Sequence, residues 1–111
     1  MFSLCRKPPV ALHPPSTPNE PAGASEGVTD TTYYFSTRST DPDGDPVKHR
    51  VLVSGGDTTS WLHWRNSGET FWFGVTFSTP DTYSIAVQAG DSYDSTSGWS
   101  QPHLIAISEH P

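Results

Sequence analysis

Four stretches of this chain alternate large apolar and polar residues two by two, and that period constrains the fold more than any other feature. Tyr83-Ser84-Ile85-Ala86-Val87-Gln88-Ala89 is the strongest run. A strand points successive side chains to opposite faces, so Tyr83, Ile85, Val87 and Ala89 share one face. The same reading puts Tyr33, Phe35 and Thr37 inward on one strand and Val47, His49, Val51 and Val53 on another. Phe71, Phe73, Val75 and Phe77 form the inner row of a third, and Ile105 and Ile107 close the chain. No segment sustains the apolar period of 3.6 that a helix needs.

Turn chemistry separates these runs. Asp41-Pro42-Asp43-Gly44-Asp45-Pro46 is a tight turn, Pro80-Asp81 is another, and Asp91 to Gly98 reads as a polar loop. Residues 54–68 read as a long loop holding Trp61 and Trp64, and residues 20–25 as a short edge strand in which Pro21 is tolerated. Short strands between turn clusters predict an all-β, antiparallel, immunoglobulin-like Greek-key sandwich of about seven strands. A chain of 111 residues fits one such domain.

Residues 1–18 differ from the rest. They hold Pro8, Pro9, Pro14, Pro15 and Pro18, which favour an extended linker or arm, and the sandwich is expected over residues 19–111. The start lacks the apolar core of a signal peptide, so the chain reads as a segment of a longer secreted protein. Cys5 stands alone, which rules out an internal disulfide. The net charge is −6, and all twelve carboxylates lie at or beyond Glu20. With no basic patch to neutralise phosphates, nucleic acid is excluded as a partner. An acidic surface disfavours anionic membranes, and no apolar run is long enough for insertion.

Several motifs together resemble a known family. Asn19-Glu20-Pro21, Tyr33-Tyr34-Phe35 and Thr40-Asp41-Pro42-Asp43-Gly44-Asp45 come first. Ser67-Gly68-Glu69-Thr70, the run Thr82 to Ala89 followed by Asp91, and Trp99-Ser100-Gln101-Pro102 follow in order. This succession resembles the PKD-like (polycystic-kidney-disease-type) immunoglobulin-like domains of bacterial and archaeal surface and secreted proteins. Many relatives carry Trp-Gly-Asp-Gly after the third strand; here the chain reads Val53-Ser54-Gly55-Gly56-Asp57, which predicts a re-shaped loop. The resemblance implies an extracellular or cell-surface location. It also implies Ca²⁺ held between Asn19 and the turn by Asn19, Asp41 and Asp43.

The residues themselves leave that turn open between a hard-cation site, which wants several oxygens on a flexible loop, and a plain turn whose Asp residues bond their own backbone. No histidine pair has a zinc-ligand spacing, and His49 is expected to be buried and hydrogen-bonded. No Gly-x-Ser-x-Gly elbow occurs, and a chain this short has little room for both a core and a deep pocket, so no enzymatic activity is expected. Trp61, Trp64 and Trp72 are candidates for a protein interface or a glycan platform; alternatively the long loop covers Trp72 with Trp61 or Trp64. Trp99 is expected to act as a structural plug. The expected role is a non-catalytic extracellular module for spacing, adhesion or assembly, whose partners are other protein domains or copies of itself. Two alternatives stand beside it: a repeating subunit of a cell-surface fibre or sheath joined through its arm or an edge strand, and a carbohydrate-binding module.

Overall fold

The computed structural model describes residues 13–56 and 58–111; residues 1–12 of the arm, with Cys5, lie outside them. Seven strands follow in chain order: β1 Glu26–Val28, β2 Thr32–Thr37, β3 Val47–Val53, β4 Phe71–Thr76, β5 Asp81–Asp91, β6 Thr96–Trp99 and β7 His103–Ser108. They form two layers. The larger sheet runs β1-β7-β5-β3, with β6 also paired to β5, and the smaller pairs β2 with β4.

The inward rows meet between these layers. Phe35, Phe71, Phe73, Phe77, Val51, Ile85, Val87, Ile105 and Ile107 form one buried cluster, with Tyr33, Val53, Val75 and Tyr83 packed against it. Burying a side chain the size of Ile85 or Phe35 stabilises the fold by roughly 2–3 kcal/mol each. The register explains why the alternation is so legible. β3 and β5 pair without a break from Val47–Asp91 to Val53–Ile85, so their inner rows stay in phase. Tyr83 turns the corner into β5, and its hydroxyl donates to the Thr79 carbonyl at 2.7 Å. That is the tyrosine corner of Greek-key sandwiches.

Two expectations need correction. The segment 91–98 is not all loop: Thr96–Trp99 is β6, paired to β5 at Gln88–Trp99 and Gly90–Thr96. Its residues are small and polar, but Ser97 is buried and its hydroxyl accepts the Ala89 N–H at 3.0 Å, which holds the strand where no apolar side chain does. Residues 20–25 make only one isolated bridge, Ala22 to Ser36, and the strand comes later, at β1.

Proline is the reason. Ser16, Asn19 and Ala22 donate their N–H groups to the carbonyls of Thr40, Arg38 and Ser36, at 2.7, 3.2 and 2.8 Å. Each follows a proline, and those prolines, Pro15, Pro18 and Pro21, are all buried. A repeat of three is that of polyproline II, and residues without N–H cannot continue a ladder of period two. The chain therefore lies along the extension of β2 as a stripe of inward prolines before it crosses to the other sheet.

Candidate metal-binding turn and aromatic faces

The turn between β2 and β3 is organised by one side chain. Asp41 Oδ1 accepts the N–H groups of Asp43 at 2.8 Å and Asp45 at 3.4 Å. The Gly44 N–H bonds the Asp41 carbonyl at 2.9 Å. That bend needs the left-handed φ of 77° at Gly44, which glycine adopts freely. The Asp41 N–H is tied to Ser67 Oγ at 2.8 Å, which anchors the turn to the loop before β4.

The result gathers carboxylates. Asp41, Asp43 and Asp45 each offer an oxygen within 4.8 Å of the others. Asp41 is only 5% exposed, and its Oδ2 has no hydrogen-bond partner among the described residues. A buried carboxylate oxygen without a donor is costly unless something positive completes it. An all-oxygen set at this spacing matches the donors that Ca²⁺ takes.

The backbone of Asn19 is bonded to β2 and the residues that follow it. Its N–H meets the Arg38 carbonyl and its own carbonyl accepts Thr37 Oγ1, which places it back along the β2 extension. Among the described residues, His13 reaches the turn: its N–H donates to Asp43 Oδ2 at 2.7 Å and its Nδ1 lies 3.7 Å from Asp43 Oδ1. The proline repeat sets this pairing: it spends three residues where a strand spends two per side-chain repeat, which places the N–H of His13 at the turn.

The tryptophans do not form one cluster. Trp61 and Trp64 lie against the outer face of β3, whereas Trp72 lies on β4 in the other sheet and is 61% exposed, uncovered by either. On β3 the outward cations and the rings interleave. Lys48 Nζ sits 4.9 Å from the Trp61 ring centre and 5.2 Å from Trp64, and the Arg50 guanidinium 4.5 Å from Trp61 and 5.7 Å from Trp99. The order is Trp64, Lys48, Trp61, Arg50, Trp99. Such contacts contribute on the order of 0.5–1 kcal/mol each at exposed sites. Gly90 permits it: a Cβ there would stand 3.0 Å from Trp61 Cη2 and 3.3 Å from Lys48 Cε. Trp99, expected as a plug, instead ends this ladder and is 38% exposed. The sequence signal for the ladder was the outward pair Lys48 and Arg50 beside a tryptophan-bearing loop.

A second aromatic face lies on the small sheet. Tyr34 is 65% exposed. It pairs across from Gly74, next to the Ser36–Trp72 pair, so its ring and Trp72 are diagonal neighbours. The outward row there (Thr32, Tyr34, Ser36, Trp72, Gly74, Thr76) holds no charge.

His49 is fully buried, as expected, but not hydrogen-bonded. Neither ring nitrogen has a partner among the described residues, and the ring stacks on Phe71 at 4.5 Å and 10°. Burial, with the Arg65 charge adding to it, lowers its pKa from 6.5 to about 4.

No family model and no curated protein matches the chain. Solved structures do. The PKD domain of an M14-like peptidase from a Thermoplasmatales archaeon superposes with a TM-score of 0.80 at 28% identity, covering 88% of this chain and 99% of that domain. The CARDB domain of a Pyrococcus furiosus protein, solved in complex with di-metal ions, gives a TM-score of 0.62 at 12% identity over 85% of this chain and 93% of that one. On that superposition and its seven-stranded, two-sheet architecture, this chain has the PKD-like fold of the immunoglobulin-like β-sandwiches.

Proposed function

We propose that this chain is a non-catalytic extracellular module that spaces or joins the parts of a larger secreted or surface protein, and that Asp41, Asp43 and Asp45 hold Ca²⁺ at one end of it. The likeness to a PKD domain over 99% of that domain's length supports the reading, because that domain is itself one part of a peptidase. The orphaned Asp41 Oδ2 beside two further carboxylates supports the metal. Bound there, a cation would offset the mutual repulsion of the carboxylates and stiffen the segment leading from β2 to β3. Two measurements test this. The isolated chain is expected to melt higher in Ca²⁺ than in EDTA, with Asp43→Asn removing the difference; identical curves would remove the metal. It is expected to be inactive on peptide, ester and glycoside substrates, and turnover abolished by a single carboxylate change would overturn the accessory role.

The uncharged face around Tyr34 and Trp72 favours a second reading, a neutral-glycan platform, since sugar rings stack on aromatic faces without needing charge. Binding on a glycan array that is lost in Trp72→Ala would support it, and an array without binding would leave that face to protein contacts.

A further inference from the structure

The edges of the two sheets are not treated alike. Along β3, Thr59, Leu62 and Arg65 donate their N–H groups to the carbonyls of Val51, His49 and Val47, at 2.9, 2.8 and 2.7 Å, so the long loop covers that edge. Along β2 the proline stripe does the same. β1 is three residues long and opens on Glu26, and β6 is four residues long with a register shift against β5. Cover, shortness, charge and irregular register all keep a sheet edge from pairing with another chain. β4 has none of these: it runs six residues, pairs with β2 without a shift, and carries no charged residue from Thr70 to Pro80. The pairing shows which groups it exposes. Ser36 exchanges both backbone bonds with Ala22, at 3.0 and 2.8 Å, so the odd residues of β2 turn theirs toward β4. Tyr33, Phe35 and Thr37 stand opposite Val75, Phe73 and Phe71, and the Asp30 N–H continues that phase to the Phe77 carbonyl at 2.8 Å. Trp72, Gly74 and Thr76, all exposed, therefore turn their N–H and C=O groups away from β2, and no bond from these groups is found among the described residues.

We infer that this edge receives the same edge of a second copy of the chain, β4 against β4, antiparallel about a two-fold axis at Gly74. In that register Gly74 faces Gly74 of the second copy, and Trp72 of each copy faces Thr76 of the other. Every exposed N–H and carbonyl of the three residues is then paired. Residues directly opposite share a face, so outward Trp72 meets outward Thr76 and each inner row stays on its own core. The axis suits a glycine, because the Tyr34 ring already lies across it: a Cβ at Gly74 would stand 2.9 Å from Tyr34 Cε1. Charge favours this contact over others. Two chains of net charge −6 repel, yet two uncharged strands bring no like charges together. Area sets the strength. Six residues of strand span about 20 Å and a sheet layer is about 10 Å deep, so the two edges cover roughly 400 Å² in all, well under the roughly 1,200 Å² of stable interfaces. The dimer is therefore weak, dissociated in dilute solution and forming toward about 1 mM, a concentration that tethered copies reach. The inference goes beyond the accessory role and requires neither that role nor the metal.

The test follows the full chain by sedimentation equilibrium and by amide hydrogen exchange as its concentration rises. Reducing agent keeps Cys5 from joining copies, and high salt screens the repulsion between them. A monomer–dimer equilibrium is expected. The N–H groups of Trp72, Gly74 and Thr76 are expected to exchange freely in dilute solution and to slow in proportion to the fraction dimerised. Those of Phe71, Phe73 and Val75 should be protected at every concentration. Thr76→Pro removes an N–H that the monomer leaves to solvent, which an edge strand tolerates, and should weaken association about tenfold or more. Should that variant fail to fold, Thr76→Glu replaces it, since it sets a carboxylate against Trp72 of the second copy and should weaken association likewise. A chain that stays monomeric throughout overturns the inference. So does a dimer in which the three edge amides exchange as freely as in the monomer, or one that the edge variant leaves unchanged, because the contact then lies elsewhere. Growth beyond the dimer overturns it too, because a two-fold edge pair closes on itself.

Discussion

The turn after β2 and the turn after β5 are built alike and differ in the carboxylates they carry. In each, an aspartate at the first position is almost fully buried, Asp41 at 5% and Asp91 at 1%. In each, its Oδ1 accepts the N–H groups two and four residues on: Asp43 and Asp45 in the first turn, Tyr93 and Ser95 in the second, the latter both at 2.9 Å. In each, the fourth residue is left-handed, Gly44 at φ 77° and Asp94 at φ 64°. The aspartate-first turn is thus a scaffold in its own right. The second and third carboxylates that a cation would need are present in the first turn, as Asp43 and Asp45, and absent from the second, which has Tyr93 and Ser95 there. An acidic turn motif in a sandwich therefore argues for a cation only when the alternate positions are acidic too.

Four measurements would sharpen or break this comparison. The largest effect lies beside both turns, at His49, two residues along β3 from Val47, the partner of Asp91. Its pKa is about 4 in the folded chain against 6.5 unfolded. Below pH 6.5 the unfolded state gains a proton that the folded state refuses, so stability falls as pH drops and the loss is complete near pH 4. It amounts to about 3 kcal/mol. Urea melts of His49→Leu are expected to lack this component, which clears the acid range for comparing the turns. Equal pH slopes in both proteins would mean that His49 is not the sensor.

The second is Asp91→Ala, which removes both caps from a buried position and is expected to cost about 2–3 kcal/mol. Asp41→Ala in metal-free solution should cost less, about 1 kcal/mol, because it also removes the orphaned oxygen and the repulsion with Asp43 and Asp45. Equal losses would show that the extra carboxylates do not strain the first turn. The third is the swap: Asp43→Tyr with Asp45→Ser should keep the fold while removing Ca²⁺ stabilisation, which is about 1.4 kcal/mol at tenfold the Kd. Retained stabilisation by Ca²⁺ would place the metal elsewhere. The smallest is Asp94→Gly, expected to be neutral or to stabilise by under about 1 kcal/mol, since glycine adopts the left-handed bend without strain. A marked loss would show that the Lys48–Asp94 contact matters more than backbone conformation.

The inner rows were legible because period two is read directly from residues such as Ile85, Val87 and Ala89, and because one unbroken register keeps β3 and β5 in phase. β6 was not, because Ser97 holds its place by a hydroxyl to backbone bond that no hydropathy pattern records. The turn from Asp41 to Asp45 was visible from its alternate carboxylates and Gly44. That His13 stands beside the turn was hidden, because it depends on a three-residue proline repeat that shifts the pairing of the N-terminal segment. The separation of Trp72 from Trp61 and Trp64 was hidden too: neighbours in sequence fell on different sheets, and only the topology assigns sheets.

The parallel pairing of β1 with β7 has a mechanical consequence. Glu26, Gly27 and Val28 stand beside Ala106, Ile107 and Ser108, so the first strand and the last are neighbours pointing the same way. The bonds from Ala106 N–H to the Ser25 carbonyl and from Thr29 N–H to the Ser108 carbonyl, both 2.9 Å, close the two ends of this short ladder. Tension applied between the chain's two ends slides these strands past each other. The rungs then share the load and must fail together. Under the same pull the proline stripe ahead of β1 is peeled rung by rung from Ser16 toward Ala22. The segment before Glu26 yields first and gradually, and the sandwich behind it resists as a unit.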